Sequence, residues 1–447
     1  MLNICKKSIA CRFFYLAGFL ISSHSICAMD DPFAAFEKLA PGIIGRMNDI
    51  VSHIRPGDDD LILLEKVGED ITPDSFPLVT IPEGTSPDDC VKTLYQIFMN
   101  NSRALTVVDP ETDPMGGAVV RILKEGINTI AAIKLYEIED DEFIDPLYEC
   151  FSTLYIKSII DRMATRSTLF KFVDLRLAGV YKQGSRSNFF MIFDGASGQS
   201  IDTLCSVEAI MSLEENSGLL MHALEKTASA FAQLHQVTSG TFTKREKIIA
   251  ISHSYTNASV ALNRHLLQSP SPKGDDDASI SKIFREIFPR VQSFKDRIAA
   301  EDASEGMAYD RALSLAHGDA HRGNIFFDQE SGDVTFIDYE TALRSFRHDA
   351  DPLKDVGCFL GSIWLKIAVL DEDPDHLYGV ANNLRNRFTV KYLEQKLEGA
   401  ENLEKALERI KFYMWARMFY SDEISGLSQS TMERVKNFLN KEFPEKL

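Results

Sequence analysis

The sequence predicts an α+β fold of two lobes, a small β-rich lobe followed by a larger, mainly helical one. Three observations point that way. Ala118–Leu123 (AVVRIL) and Thr129–Tyr136 (TIAAIKLY) are β-rich runs joined by a hairpin turn over Lys124–Asn128, and Phe189–Phe193 is a further apolar strand. Helical spacing then takes over, in Leu219–His235 and through most of 390–447. Finally, 447 residues of which 45% are hydrophobic can build two lobes plus an N-terminal extension.

At the N-terminus, Lys6, Lys7 and Arg12 precede the apolar run Phe13–Ile21 and a small-residue end at Ser22–Ala28. That pattern predicts a secretory signal peptide over residues 1–28 and an exported protein. The apolar run is too short to span a bilayer comfortably, and no other segment offers a stable membrane span. Cleavage near Ala28 would leave Cys90, Cys150, Cys205 and Cys358, too few for a disulfide framework in so long a chain. Cys358, within Val-Gly-Cys-Phe-Leu, reads as a buried thiol. A net charge of −18, from 48 basic and 66 acidic side chains, argues against nucleic acid as the main partner.

The most informative segment is LAHGDAHRGNIFFDQESGDVTFIDYETA, from Leu315 to Ala342. His317, Asp319 and Asn324 stand in the order H-x-D-x-x-x-x-N, and Asp338 closes the apolar run Val334–Ile337. Ile325–Phe327 and Val334–Ile337 flank a turn with Gly332, which predicts a hairpin. Asn324 and Asp338 then fall at the same end of it, beside the loop that carries Asp319. Moving a phosphoryl group from a nucleotide needs a carboxylate to orient the attacking hydroxyl and hard oxygen ligands for Mg²⁺. Asp319 suits the first task; Asn324 and Asp338 suit the second. A polar loop before an ordinary hairpin is the bland alternative, and four polar groups at this joint spacing count against it.

These residues resemble the aminoglycoside phosphotransferase and choline kinase family of the protein-kinase-like fold. Its bacterial members carry H-G-D-x-H-x-x-N and then I-D-[WFY]-E; this chain has HGDAHRGN and IDYE. The resemblance implies Asp319 as catalytic base, Asn324 and Asp338 as magnesium ligands, and a γ-phosphate contact for His321. Asp351-Pro-Leu-Lys-Asp355-Val-Gly is similar to the family's D-P-x-x-D-[LV]-[AG] segment, with Asp355 bracing the catalytic loop. Ala-Ala-Ile-Lys134 is similar to the strand on which kinases mount the lysine that pairs with the α- and β-phosphates. The resemblance covers roughly residues 100 to 440.

The remaining segments fit around these. Asp145-Pro146 reads as N-cap and first residue of a helix to about Met163, on which Glu149 is the candidate ion-pair partner of Lys134. Asp109–Gly117, between candidate strands Ala104–Val108 and Ala118–Leu123, would cover the phosphates, yet it lacks G-x-G-x-x-G and two aspartates line phosphate poorly unless they face away. Asp194–Gly198 resembles the hinge, where backbone groups of Asp194 and Ala196 would meet adenine. His222 and His235 read as packing or capping residues. Ser269–Asp277 marks a loop in a long insertion that would build acceptor contacts. Acidic clusters such as Asp371–Asp375 would suit a cationic acceptor if they lined a cleft, and are otherwise solvated loops. Tyr413, Trp415 and Tyr420 could cage a quaternary ammonium or simply belong to the core.

The predicted division is therefore a signal peptide (1–28), an N-terminal extension (29–100), a nucleotide-binding lobe and hinge (101–198), and a helical lobe with catalytic loop and acceptor insertion (199–447). The predicted activity is transfer of the γ-phosphoryl of ATP, with Mg²⁺, to a hydroxyl of a small, cationic or sugar-like molecule. A protein-hydroxyl kinase and a pseudokinase without turnover remain alternatives. An exported kinase would need a source of ATP, such as a host cell into which it is released.

Overall fold

The computed structural model describes residues 76, 78–99, 105–110, 118–137, 149–150, 153, 169–215, 218–237, 289–301, 314, 316–338, 351–395, 403–420 and 428–444. The predicted signal peptide, the loop at 111–117, most of the helix at 145–163 and the insertion loop Ser269–Asp277 lie outside them. The fold is α+β, as predicted, and the chain divides into two compact units. One is drawn from Met1–Ser158 and Val173–Ala196, the other from Ile159–Phe172 and Ser197–Leu447.

The first unit is built on a six-stranded sheet in the order β1 (Leu78–Ile81), β6 (Leu175–Gln183), β7 (Arg186–Asp194), β4 (Asn128–Glu137), β3 (Val119–Glu125), β2 (Thr106–Val108). Neighbours are antiparallel except β1, which runs parallel to β6 at one edge. The β3–β4 hairpin turns at Gly126, whose φ of +63° suits a residue without a side chain. Helix α1 (Pro87–Met99) begins at Ser86, whose hydroxyl accepts from the Asp89 N–H while bonding the Asp89 carboxylate. Its Cys90, Val91, Leu94, Tyr95 and Phe98 join Leu123, Ala131, Ile133, Leu135, Phe190 and Ile192 in one buried cluster. Side chains alternate along a strand, so burying Ala131, Ile133 and Leu135 puts Lys134 and Tyr136 on the opposite face.

Two predicted boundaries are corrected here. The N-terminal extension does not run to residue 100, because β1 and α1 supply an edge strand and the helical half of this core. A four-residue strand and a single amphipathic helix gave too little period to join them to strands further on. Residues 170–172 also leave the first unit: as β5 (Phe170–Phe172) they pair with a strand of the second. Strand β6 has no counterpart among the predicted strands.

The second unit holds a four-stranded sheet, β5–β10–β9–β8, with β8 Gln199–Ser200, β9 Ile325–Phe327 and β10 Val334–Phe336. The β9–β10 hairpin is the predicted one, with Phe327 opposite Val334 and Ile325 opposite Phe336. Around it lie α2 (Leu219–Val237), α3 (Pro352–Ala368), α4 (Pro374–Gln395), α5 (Leu403–Tyr420) and α6 (Gln429–Glu442). Helices α3 and α5 pack closely because Gly357 and Gly361 have no side chains. A Cβ at either would strike Tyr413 or the Met414 carbonyl.

Trp364 and Trp415 meet edge to face in this core, their centroids 5.8 Å apart, and Tyr413 is also fully buried. Tyr413 and Trp415 are thus core residues and no ammonium cage. Cys90, Cys150, Cys205 and Cys358 are all buried and free. Among the described residues, no helix is long and apolar enough to cross a membrane.

Candidate active site

In the first unit the structure brings Lys134 and Glu149 together. Lys134 Nζ lies 2.6 Å from Glu149 Oε1, and the Tyr136 hydroxyl donates to Glu149 Oε2. Both partners are largely withdrawn from water, and the Phe193 ring lies 5.9 Å from the ammonium. Tyr136 follows from strand alternation, since it shares a face with Lys134 two residues earlier. The pair is held at a fixed place on the sheet, the arrangement a phosphate-binding lysine needs.

The residues predicted for the hinge lie at the end of β7. Asp194 ends β7 and Ala196 lies half-buried two residues later. The Asp194 carboxylate takes Arg176 Nε at 2.6 Å. Its N–H donates to the Asp174 carbonyl and that of Gly195 to the Ile130 carbonyl, so neither N–H is open to a ligand. At the start of the predicted phosphate-covering loop, Asp109 pairs with Arg121 Nη1 at 3.0 Å, and Arg121 Nε takes Asp88 at 3.1 Å. Asp109 is thereby neutralised by the sheet.

In the second unit the catalytic segment is held from below by one buried carboxylate. Asp355, on the first turn of α3, accepts from the N–H of His317 at 2.6 Å and of Gly318 at 2.9 Å. It also meets His235 Nε2 at 3.0 Å, while His235 Nδ1 bonds the Tyr392 hydroxyl at 2.9 Å. Burial works to raise the pKa of Asp355, and the hydrogen bond and charge of His235, with His317 and the Gly318 N–H, hold it below the usual carboxylate range. Asp355 braces the loop, and His235, read from the sequence as a packing or capping residue, supports it through buried hydrogen bonds to Asp355 and Tyr392. His222 sits edge-on to Phe327.

The loop's own bonds then place its polar groups. His317 Nε2 lies 2.8 Å from the Ile337 carbonyl, and the Ile337 N–H donates to the Asn324 carbonyl at 3.0 Å. These contacts tie Asn324 to the residue just before Asp338, so the two predicted ligands share one end of the hairpin. Asn324 Nδ2 donates to the Asp319 carbonyl at 3.1 Å, which commits the amide nitrogen and turns the side-chain oxygen away from that bond. Asp338 has φ +57°, a left-handed backbone that a non-glycine residue adopts at a cost.

An amide oxygen and a carboxylate are hard oxygen donors, the kind Mg²⁺ takes when phosphate and water supply its other ligands. Among the described residues no group of three or more His, Cys, Asp and Glu could hold a metal unaided.

His321 caps the short 3₁₀ turn Arg322–Asn324, its Nδ1 accepting from the Gly323 N–H at 3.1 Å. Its Nε2 lies 4.0 Å from Asp319 Oδ2. Burial pushes its pKa down to about 4 against the pull of Asp319, so the ring is neutral near pH 7. Arg322 is pinned by Asp202 at 2.5 Å and by the Ser362 carbonyl at 2.7 Å. For Asp319, burial again works upward, but Arg417, then His321, His317 and Lys354, carry its pKa below the usual range.

Arg417 is the residue that sequence reasoning missed: its Nη1 lies 3.0 Å from Asp319 Oδ1. The only sequence signal was the Gly357/Gly361 spacing that lets α5 approach α3. The cluster Asp371–Asp375 takes the bland reading, with Asp371 paired to Arg434, Asp373 capping α4 and Asp375 paired to Lys441.

Residues 182–382 match the profile of the phosphotransferase enzyme family, APH, the family the motifs resemble. No curated protein matches the chain. Among solved structures, one similar chain is aminoglycoside phosphotransferase APH(3'')-Id from Streptomyces rimosus ATCC10970. It shares 16% identity over 74% of this chain and 98% of that one, with a TM-score of 0.41. A choline kinase from Cryptosporidium parvum Iowa II shares 13% identity over 76% and 90%, with a TM-score of 0.46. Plasmodium vivax ethanolamine kinase shares 12% over 89% and 99%, with a TM-score of 0.44.

Proposed function

We propose that the protein is a phosphotransferase that moves the γ-phosphoryl group of ATP to a hydroxyl of a small molecule, with Mg²⁺. The observation that carries this reading is the buried scaffold of the catalytic segment. Asp355 holds the backbone of His317 and Gly318, and Asn324 is tied both to Asp319 and to the strand leading to Asp338. A loop fixed by so many buried bonds keeps three polar groups in register, and phosphoryl transfer is catalysed mainly by positioning and charge stabilisation.

Asp319 orients the acceptor hydroxyl and accepts its proton as the oxygen attacks. Asn324 and Asp338 hold the metal, which when bound neutralises charge on the β- and γ-phosphates. Lys134, kept in place by Glu149 and Tyr136, pairs with the α- and β-phosphates. Backbone groups near Ala196 meet the adenine. Neutral His321 presents a ring N–H toward Asp319 and the γ-phosphate. The test is transfer of label from γ-labelled ATP to a panel of aminoglycosides, sugars, amino alcohols and lysate proteins. Mg²⁺-dependent labelling of a small molecule supports the reading; labelling of proteins alone moves the acceptor to a protein hydroxyl. Tight nucleotide binding without turnover would leave a pseudokinase.

A further inference from the structure

Asp319 has a contact that orienting a hydroxyl does not in itself require. Arg417 reaches it from α5, Nη1 to Oδ1 at 3.0 Å, with the two side chains 11% and 27% exposed. The other oxygen, Oδ2, faces His321 Nε2 at 4.0 Å. The approach is built into the helix packing. Gly361 lets the Met414 carbonyl close onto α3, and Arg417 stands one turn beyond Met414. Helix α3 also carries Asp355, so one helix sets both the loop backbone and the arginine that meets its carboxylate.

We infer that Arg417 is a positioning residue for Asp319, fixing Oδ1 so that Oδ2 takes the acceptor hydroxyl. The inference rests on the phosphotransferase reading. A carboxylate held by one oxygen loses the rotation that would otherwise spread its second oxygen over several directions. An adjacent guanidinium weakens Asp319 as a base, but a loose transition state asks for little proton removal from the nucleophile and much alignment.

The experiment compares the full-length wild type with Arg417→Gln and Arg417→Lys, using Mg·ATP with choline, glycerol and glycerate as probes. Arg417→Gln should lower kcat about 10- to 100-fold and leave the Kd for Mg·ATP within about twofold. Arg417→Lys should recover kcat to within about tenfold of wild type. Arg417→Gln with unchanged kcat overturns the inference. So does equal loss of nucleotide affinity, thermal stability and turnover, which marks a packing role. If water is the only acceptor used, the small-molecule reading has failed, and the same kcat comparison on ATP hydrolysis decides the positioning role. A wild type that turns over nothing refutes phosphotransfer, and the inference with it.

Discussion

The Lys134–Glu149 pair and the His317–Asp338 segment are secured in different ways. Lys134 pairs with Glu149, whose other carboxylate oxygen takes the Tyr136 hydroxyl, and lies near the Phe193 ring. The catalytic segment is held by buried bonds from three directions. Asp355 holds it from α3, the Ile337 backbone from the hairpin, and Arg417 from α5. The lysine can lose its partner and keep its charge; the loop cannot lose Asp355 without freeing buried N–H groups. Substitutions in the first region should therefore weaken function with little loss of stability, while those under the loop should cost both.

The largest effect should come from Asp338→Ala, which removes a carboxylate that would hold the metal. Mg²⁺-dependent nucleotide binding and turnover should both fall, turnover by about a thousandfold or more. Calorimetry showing unchanged binding of Mg·ATP would make Asp338 a structural residue. Lys134→Ala should come next, weakening ATP binding and cutting turnover about a hundredfold. Glu149→Ala should mainly lower turnover, because the lysine remains but is no longer held. In a double-mutant cycle the two should be less than additive, and full additivity would dissolve the pair as a functional unit.

Smaller losses are expected from Asp355→Asn, which leaves a buried donor at His317 or Gly318 facing an amide N–H₂. Stability should fall by about 2 kcal/mol, read from denaturant unfolding. The pH dependence follows from the lowered pKa of Asp355. Its folded value lies below the unfolded value of about 3.9, so its stabilisation is full above that value and is lost as pH falls through the folded one. Asp355→Asn should flatten the acid limb of the stability curve; an unchanged limb would mean that Asp355 does not carry this role. In the first region, Tyr136→Phe should cost least, a few-fold in turnover with an unchanged unfolding midpoint.

What the sequence made legible was local. Turn chemistry and β-rich runs placed both hairpins, and the spacing of His317, Asp319, Asn324 and Asp338 placed the site's polar groups on one of them. Asp355 and Lys134 were legible because each lies in a short run of recognisable order. What escaped depends on distant packing. Strand β1 and helix α1 have too few residues to declare which sheet they join, and β5 pairs with a strand more than 160 residues later in the chain. Arg417 is unremarkable in its helix; only the closeness of α5 to α3 brings it to Asp319.

The most direct test of the account is Asp319→Ala, assayed for both γ-phosphoryl transfer and Mg·ATP affinity. Asp319 is assigned to the acceptor hydroxyl, whereas Asn324, Asp338 and Lys134 are assigned to the nucleotide and its metal. The account predicts transfer reduced to background, with the Kd for Mg·ATP within about threefold of wild type. Transfer persisting within tenfold of wild type would contradict it.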